Sequence, residues 1–149
     1  MNNVKTALVT GANKGIGLAT VEGLAREGYK VWLGSRDHSR GQEAVEKLRS
    51  KGLDVKLLLI DVADDNSVKE AARVLNTQTA YLDILINNAG VALNLKSLPS
   101  NEQMDVIRET FETNTFGPIR VTQALLPLLR AARGGADHHV KQYRWIYWP

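Results

Sequence analysis

A chain of 149 residues, 44% hydrophobic and 23% charged, is enough for one domain around a single buried core. No apolar run approaches the ~20 residues of a membrane span, the first residues lack a signal peptide's apolar segment, and without cysteine there is neither a disulfide framework nor a thiolate metal site. The net charge of +3 comes from Arg130, Arg133, Lys141 and Arg144 against Asp137; the remaining 15 basic and 15 acidic residues cancel, which argues against a nucleic-acid face and leaves the cytoplasm as the expected compartment.

Residues 6–10 (Thr-Ala-Leu-Val-Thr) predict a buried strand, because the run is short, continuous and apolar. A helix is expected over residues 15–27, with Ile16, Leu18, Val21, Leu24 and Ala25 at helical spacing and Gly28 as its stop. Residues 30–35 read as a second strand and 38–51 as a second helix, with Ala44, Val45 and Leu48 inward and Gly52 beyond it. A third strand is expected over 54–60, and Asp64, Asp65, Asn66 and Ser67 offer caps for a helix running to about Thr77. Residues 82–86 read as a fourth strand, entering Asn87-Asn88-Ala89-Gly90. After a polar loop a long helix is expected over 101–132, bent or broken by Pro118 and Pro127. Strands of this buried type alternating with helices predict an α/β fold, a doubly wound parallel sheet of Rossmann type. Four strands in the order 3-2-1-4 are expected, an incomplete version of that sheet.

Thr10-Gly11-Ala12-Asn13-Lys14-Gly15-Ile16-Gly17 lies between the first strand and the first helix, the place where such sheets bind ligands. Glycines let the main chain approach a ligand closely, and the helix start offers unpaired N–H groups to a pyrophosphate. The dipole contributes only ~0.3–2 kcal/mol, so the loop needs support from the rest of the chain. A structural turn is the plain alternative; the position after the first strand favours a dinucleotide cradle. NAD sites of this kind place a carboxylate after the second strand, and NADP sites a cation. Here Ser35 is followed by Arg36, and the glycine loop carries Lys14. Arg36 suits a bidentate phosphate contact and Lys14 adds a point charge, although residue type alone also allows two ordinary surface cations. His38, His138 and His139 have no Asp, Glu or Cys at ligand spacing, and no metal site is expected.

Taken with Asn87-Asn88-Ala89-Gly90, the glycine loop resembles that of a short-chain dehydrogenase/reductase of the classical type. Residues 13–19, Arg36 and Asp37 with Arg40, Gly41 and Gln42, and Phe116 with Gly117 are similar to its carbonyl-reductase branch; the resemblance covers residues 4–133. It implies that Gly11, Asn13, Lys14, Gly15, Ile16 and Gly17 hold the cofactor. Lys14 and Arg36 would take the 2′-phosphate, so that NADP(H) is preferred over NAD(H). Asp61 would meet the adenine amino group, with Val62 against the ring, while Asn88 and Ala89 would wall the ribose. Asn87 is expected to bond between strands. Asn114 matches the active-site asparagine, whose main chain positions a water in the proton relay. By residue type alone, Asp61 reads as a turn-starter and Asn114 as a solvated or locally bonded side chain. The implied activity is NADPH-dependent reduction of a small-molecule carbonyl by hydride transfer.

In that family the chemistry rests on a Ser of a fifth strand and a Tyr four residues before a Lys. No Tyr here has Lys at that place: Tyr81 has Leu85, and Tyr143 has Tyr147. Beyond Gly134 and Gly135 the resemblance predicts a strand, but the chain continues Ala136-Asp137-His138-His139-Val140. Shifted by one base, the codons of residues 136–138 permit Arg-Ile-Ile, those of Lys141 and Gln142 permit Ser-Ser, and Trp145 and Trp148 are forced to Gly. That spelling matches a fifth strand and serine loop. Residues 1–133 are therefore expected to form a dinucleotide-binding half, and 134–149 a frameshifted tail. Three readings stand: an oxidoreductase by descent, an NADP(H)-binding half without catalysis, and a non-functional truncation product whose unpaired fourth strand invites aggregation.

Overall fold

The computed structural model describes residues 4–92 and 98–132. Strands β1 (Thr6–Val9), β2 (Lys30–Ser35), β3 (Val55–Leu59) and β4 (Ile84–Ile86) alternate with helices α1 (Gly15–Arg26), α2 (His38–Arg49) and α3 (Asp65–Gln78); α4 (Met104–Phe111) and α5 (Gly117–Ala131) follow β4. All pairings are parallel and the order is β3-β2-β1-β4, as the sequence predicts. The register sets Thr6 beside Lys30, Ala7 beside Ile84 and Val31 beside Val55. Strand β2 has its predicted bounds and β1, β3 and β4 are shorter than theirs, yet the ladder outlasts them: Thr10 N–H donates to the Ile86 carbonyl at 3.0 Å and Ile60 N–H to the Ser35 carbonyl at 2.9 Å.

Alternation along each strand divides the core in two. Leu8 and Trp32 pack on one face with Leu58, Leu75, Leu85, Val121 and Leu125, so α3 and α5 cover that side. Ala7, Val9, Val31 and Leu33 pack on the other with Val21, Val45 and Leu48 of α1 and α2. Each fully buried Leu or Val stabilises the fold by roughly 1.5–3 kcal/mol, which is why a chain of modest helix propensity holds these helices in place. Buried Trp32 keeps its polar atom satisfied, its Nε1–H donating to Gln78 Oε1 at 2.7 Å.

The predicted stops at Gly28 and Gly52 and the predicted cap at Asp64 form locally, and Asp37 adds a cap to α2 that the sequence reading does not assign. Gly28 ends α1 at φ +85° and Gly52 follows α2 at φ +79°. Asp37 caps α2 by accepting from Arg40 N–H at 2.9 Å, and Asp64 caps α3 by accepting from Ser67 N–H at 2.6 Å. The helix expected over 101–132 does break, just before Pro118, and it starts later than its apolar spacing suggests. A short 3₁₀ turn (Pro99–Asn101) precedes α4, and a π-helical turn (Glu112–Phe116) separates α4 from α5. Pro118 sits in the first turn of α5, where its missing N–H is tolerated; Pro127 lies inside α5 on its exposed side and does not end it. Among the described residues no helix is long and apolar enough to cross a membrane.

Candidate functional site

The chain winds from β1 through β2 to β3 on one side, then places β4 on the other side of β1, so the crevice of this sheet opens between the carboxyl ends of β1 and β4. The two loops leaving those strands are locked together. At Gly11, φ is +61° and a Cβ would lie 2.6 Å from Ala89 Cα; at Gly17 a Cβ would overlap Asn88 Nδ2 and lie 2.9 Å from Ala12 Cα. The fully buried Thr10 hydroxyl accepts from the Asn88 and Ala89 N–H groups at 3.1 and 3.0 Å. In return Asn88 Nδ2 donates to the Thr10 and Gly11 carbonyls, each at 3.0 Å. Ala12 N–H donates to the Gly34 carbonyl at 2.8 Å, tying the loop to β2.

The outward side of this loop is open. Gly15 has φ +58°, and no heavy atom lies within 4 Å of where its Cβ would be. Lys14 is the N-cap of α1, extended and exposed, and the first turn carries no acidic residue. Helical bonding begins with Leu18 N–H to the Lys14 carbonyl at 3.3 Å, so the preceding amides have no partner within the helix. Ile16 is exposed and Asn13 half-buried beside them. After β2, Ser35 Oγ donates to the Asp37 carbonyl at 2.8 Å and accepts Asp37 N–H at 3.2 Å, a tight turn that leaves Arg36 exposed. The Asp37 carboxylate is committed to the start of α2.

Past β3, Asp61 Oδ1 accepts Ala63 N–H at 3.0 Å and Asp61 N–H donates to Ser67 Oγ at 2.8 Å, so Asp61 starts the turn it stands in. Val62 is buried against α5: a Cβ on Gly117 would lie 2.9 Å from Val62 Cγ2. Asn114 is neither solvated nor helical in the ordinary sense. From the π turn its Oδ1 accepts Val91 N–H at 2.8 Å and its Nδ2 donates to the Val91 carbonyl at 2.7 Å, bracing the segment after Gly90. Pro118 has no N–H to offer the Asn114 carbonyl, its α-helical partner position. A π turn of this kind recurs at functional sites.

Two assignments shift. The bond predicted for Asn87 between strands runs instead to α5, its Nδ2 reaching Thr122 Oγ1 at 3.3 Å, and its buried Oδ1 has no partner among the described residues. The link between strand ends belongs to Asn88, in addition to any role beside a ribose. The role of Thr10 goes beyond what residue type assigns it, although a polar residue closing an apolar strand directly before Gly11 is a readable signal. His138, His139 and the predicted tail 134–149 lie outside the described residues, among which no group of three His, Asp or Glu could hold a metal.

The sequence profile described as short chain dehydrogenase matches residues 5–136. The chain belongs to the short-chain dehydrogenase/reductase family. Within that family it is carbonyl-reductase-like: carbonyl reductase [NADPH] 1 of Mus musculus is 40% identical over 126 residues, covering 83% of this chain and 44% of the mouse protein. A short chain dehydrogenase/reductase of Colletotrichum higginsianum, dpchH, is 42% identical over 145 residues, covering 91% of this chain and 35% of that one. The crystal structure of NADPH-bound carbonyl reductase from chicken fatty liver superimposes with a TM-score of 0.76 at 36% identity, covering 88% of this chain and 54% of that one. The chain thus spans less than half the length of the two curated short-chain dehydrogenase/reductase relatives.

Proposed function

We propose that this chain is the cofactor-binding part of an NADPH-dependent carbonyl reductase. The observation that carries the reading is the glycine loop fixed on Asn88 and Ala89 with its outer side open at Gly15, and with Lys14 and Arg36 exposed at the ends of adjacent strands. Gly11, Asn13, Gly15, Ile16 and Gly17 would hold the pyrophosphate at the start of α1, and Lys14 and Arg36 the 2′-phosphate. The capping role of Asp37 supports NADP(H) over NAD(H), because the nearest carboxylate after β2 is already bonded to a helix start. Asp61 and Val62 would meet the adenine, and Asn88 and Ala89 the ribose.

In the complete enzyme, bound NADPH would supply a hydride to a small carbonyl compound. The chain's own contribution is to fix the dinucleotide and, through Asn114, to hold a water in the proton relay. With its side chain spent on Val91, Asn114 offers its main-chain carbonyl, which Pro118 leaves without an α-helical partner. The proton donor of the family, a Tyr four residues before a Lys, has no counterpart in this sequence. Residues 134–149 are an out-of-frame tail in this reading, and the chain alone binds cofactor without turnover.

Thermal melting with and without NADPH tests the reading. At a ligand concentration 100 times Kd the folded state gains ~2.7 kcal/mol and the midpoint rises; an unmoved midpoint overturns the proposal. NADPH oxidation against a simple quinone or aldehyde is expected to stay at background. The codons after Gly135 decide the tail, and a shifted frame that does not spell Arg-Ile-Ile and Ser-Ser removes the frameshift.

A further inference from the structure

One side chain ties together segments far apart in sequence around the proposed site. Arg120, in the first turns of α5, is about one-fifth exposed and uses all three of its nitrogens. Nη1 donates to the Val62 carbonyl at 2.7 Å, Nη2 to Glu112 Oε2 at 2.9 Å, and Nε to Asp65 Oδ1. Its partners are the loop after β3, the opening residue of the π turn and the first residue of α3. Glu112 raises the guanidinium above its ordinary pKa, burial opposes it, and Asp65 adds to the rise.

Asp65 is largely and Glu112 about half in water, and exposed ion pairs of this kind add little to stability. Their effect is orientation: two anchors at the rim fix the plane of the guanidinium, and the third nitrogen then addresses a main-chain carbonyl. That carbonyl belongs to Val62, whose side chain is buried against Gly117 of the same helix. Asp61 cannot supply the same restraint, since its contacts to Ala63 and Ser67 close the turn on itself. The position of Val62 relative to α5 is therefore set from the α5 side.

We propose that Arg120 is a positioning residue of the cofactor site, fixing the Asp61 and Val62 edge on which the adenine half rests by holding the Val62 carbonyl from α5. The inference depends on the NADP(H) reading above, and goes beyond it by assigning adenine-side affinity to a residue that touches no cofactor. A lysine cannot replace the fork: one ammonium lacks the planar geometry that serves two carboxylates and a carbonyl together.

The test compares Arg120→Met with the unaltered chain, using NADPH, adenosine 2′,5′-bisphosphate and inorganic pyrophosphate as probes in calorimetric titrations. Arg120→Met is expected to raise Kd for NADPH and adenosine 2′,5′-bisphosphate by about tenfold, the scale of one lost charge-assisted hydrogen bond, with pyrophosphate unchanged. A merely structural role would weaken all three together. If the unaltered chain binds neither NADPH nor the bisphosphate, the cofactor reading itself fails. If it binds them and Arg120→Met binds the bisphosphate within about twofold, or loses pyrophosphate equally, Arg120 is not a positioning residue. Arg120→Lys reads the same quantity where circular dichroism shows Arg120→Met unfolded, and is expected to fall on the weakened side. Glu112→Gln, which leaves the bond to Val62 in place, is expected to stay within about threefold.

Discussion

Gly11→Ala and Gly15→Ala separate the two uses of glycine in the loop. Both positions have positive φ, +61° and +58°, so an added Cβ costs each ~1–2 kcal/mol of backbone strain. Only at Gly11 does the methyl meet something: it would lie 2.6 Å from Ala89 Cα, 3.0 Å from Ala89 Cβ and 3.1 Å from Ala89 N. Two of those atoms are backbone, held by Thr10 through the Ala89 N–H, so the neighbour has little room to yield. Forcing the loops apart adds the ~1–3 kcal/mol typical of overpacking, for a total of ~2–5 kcal/mol against ~1–2 for Gly15→Ala. Urea unfolding measures both. Cofactor affinity is expected to divide the other way, because the space beside Gly15 is open to a pyrophosphate and the methyl would fill it. Gly15→Ala should therefore bind NADPH at least about tenfold more weakly while losing only the ~1–2 kcal/mol of backbone strain. Equal loss of stability in the two variants, with NADPH binding retained in Gly15→Ala, would refute the reasoning on both counts.

Arg36→Ala is expected to weaken NADPH by about tenfold or more and to leave NADH within about twofold, read by fluorescence titration of each; equal losses would remove the 2′-phosphate contact. Thr10→Val keeps the shape of the strand end but strips the acceptor from two amides, and is expected to cost ~2–5 kcal/mol in urea unfolding; a change below ~1 kcal/mol would mean that water replaces the hydroxyl. Lys51 first, and Arg26 after it, hold the partly buried Glu22 carboxyl below its ordinary pKa. A depressed folded-state pKa contributes stability that is present above the unfolded value and is lost as pH falls through the folded one. The melting difference between Glu22→Gln and the unaltered chain should therefore be present at neutral pH, shrink in acid and shrink with added salt; a difference independent of pH would contradict the pairing.

Much of the architecture was legible because its causes are local. Strand and helix periods up to β4, the stops at Gly28 and Gly52 and the cap at Asp64 depend on residues within a few positions of one another, and they form close to where the sequence predicts. The parallel order followed from alternation of elements, since crossover handedness leaves few ways to wind them. Within the site, the glycine loop and the two cations were readable as residue types in place, and the sequence by itself determined that they stand at the ends of β1 and β2.

Tertiary structure decided what holds them. Thr10 and Asn88 meet across 78 positions, Arg120 and Val62 across 58, and Asn114 and Val91 across 23. No periodicity records such pairs, because a hydrogen bond between distant segments exists only after packing has closed the sheet and laid α5 on it. The same holds for the π turn. Pro118 and Pro127 predict a bend or break within 101–132, but only the pairing of Asn114 with Val91 and the packing of Gly117 on Val62 put it ahead of Pro118 and leave Pro127 inside α5.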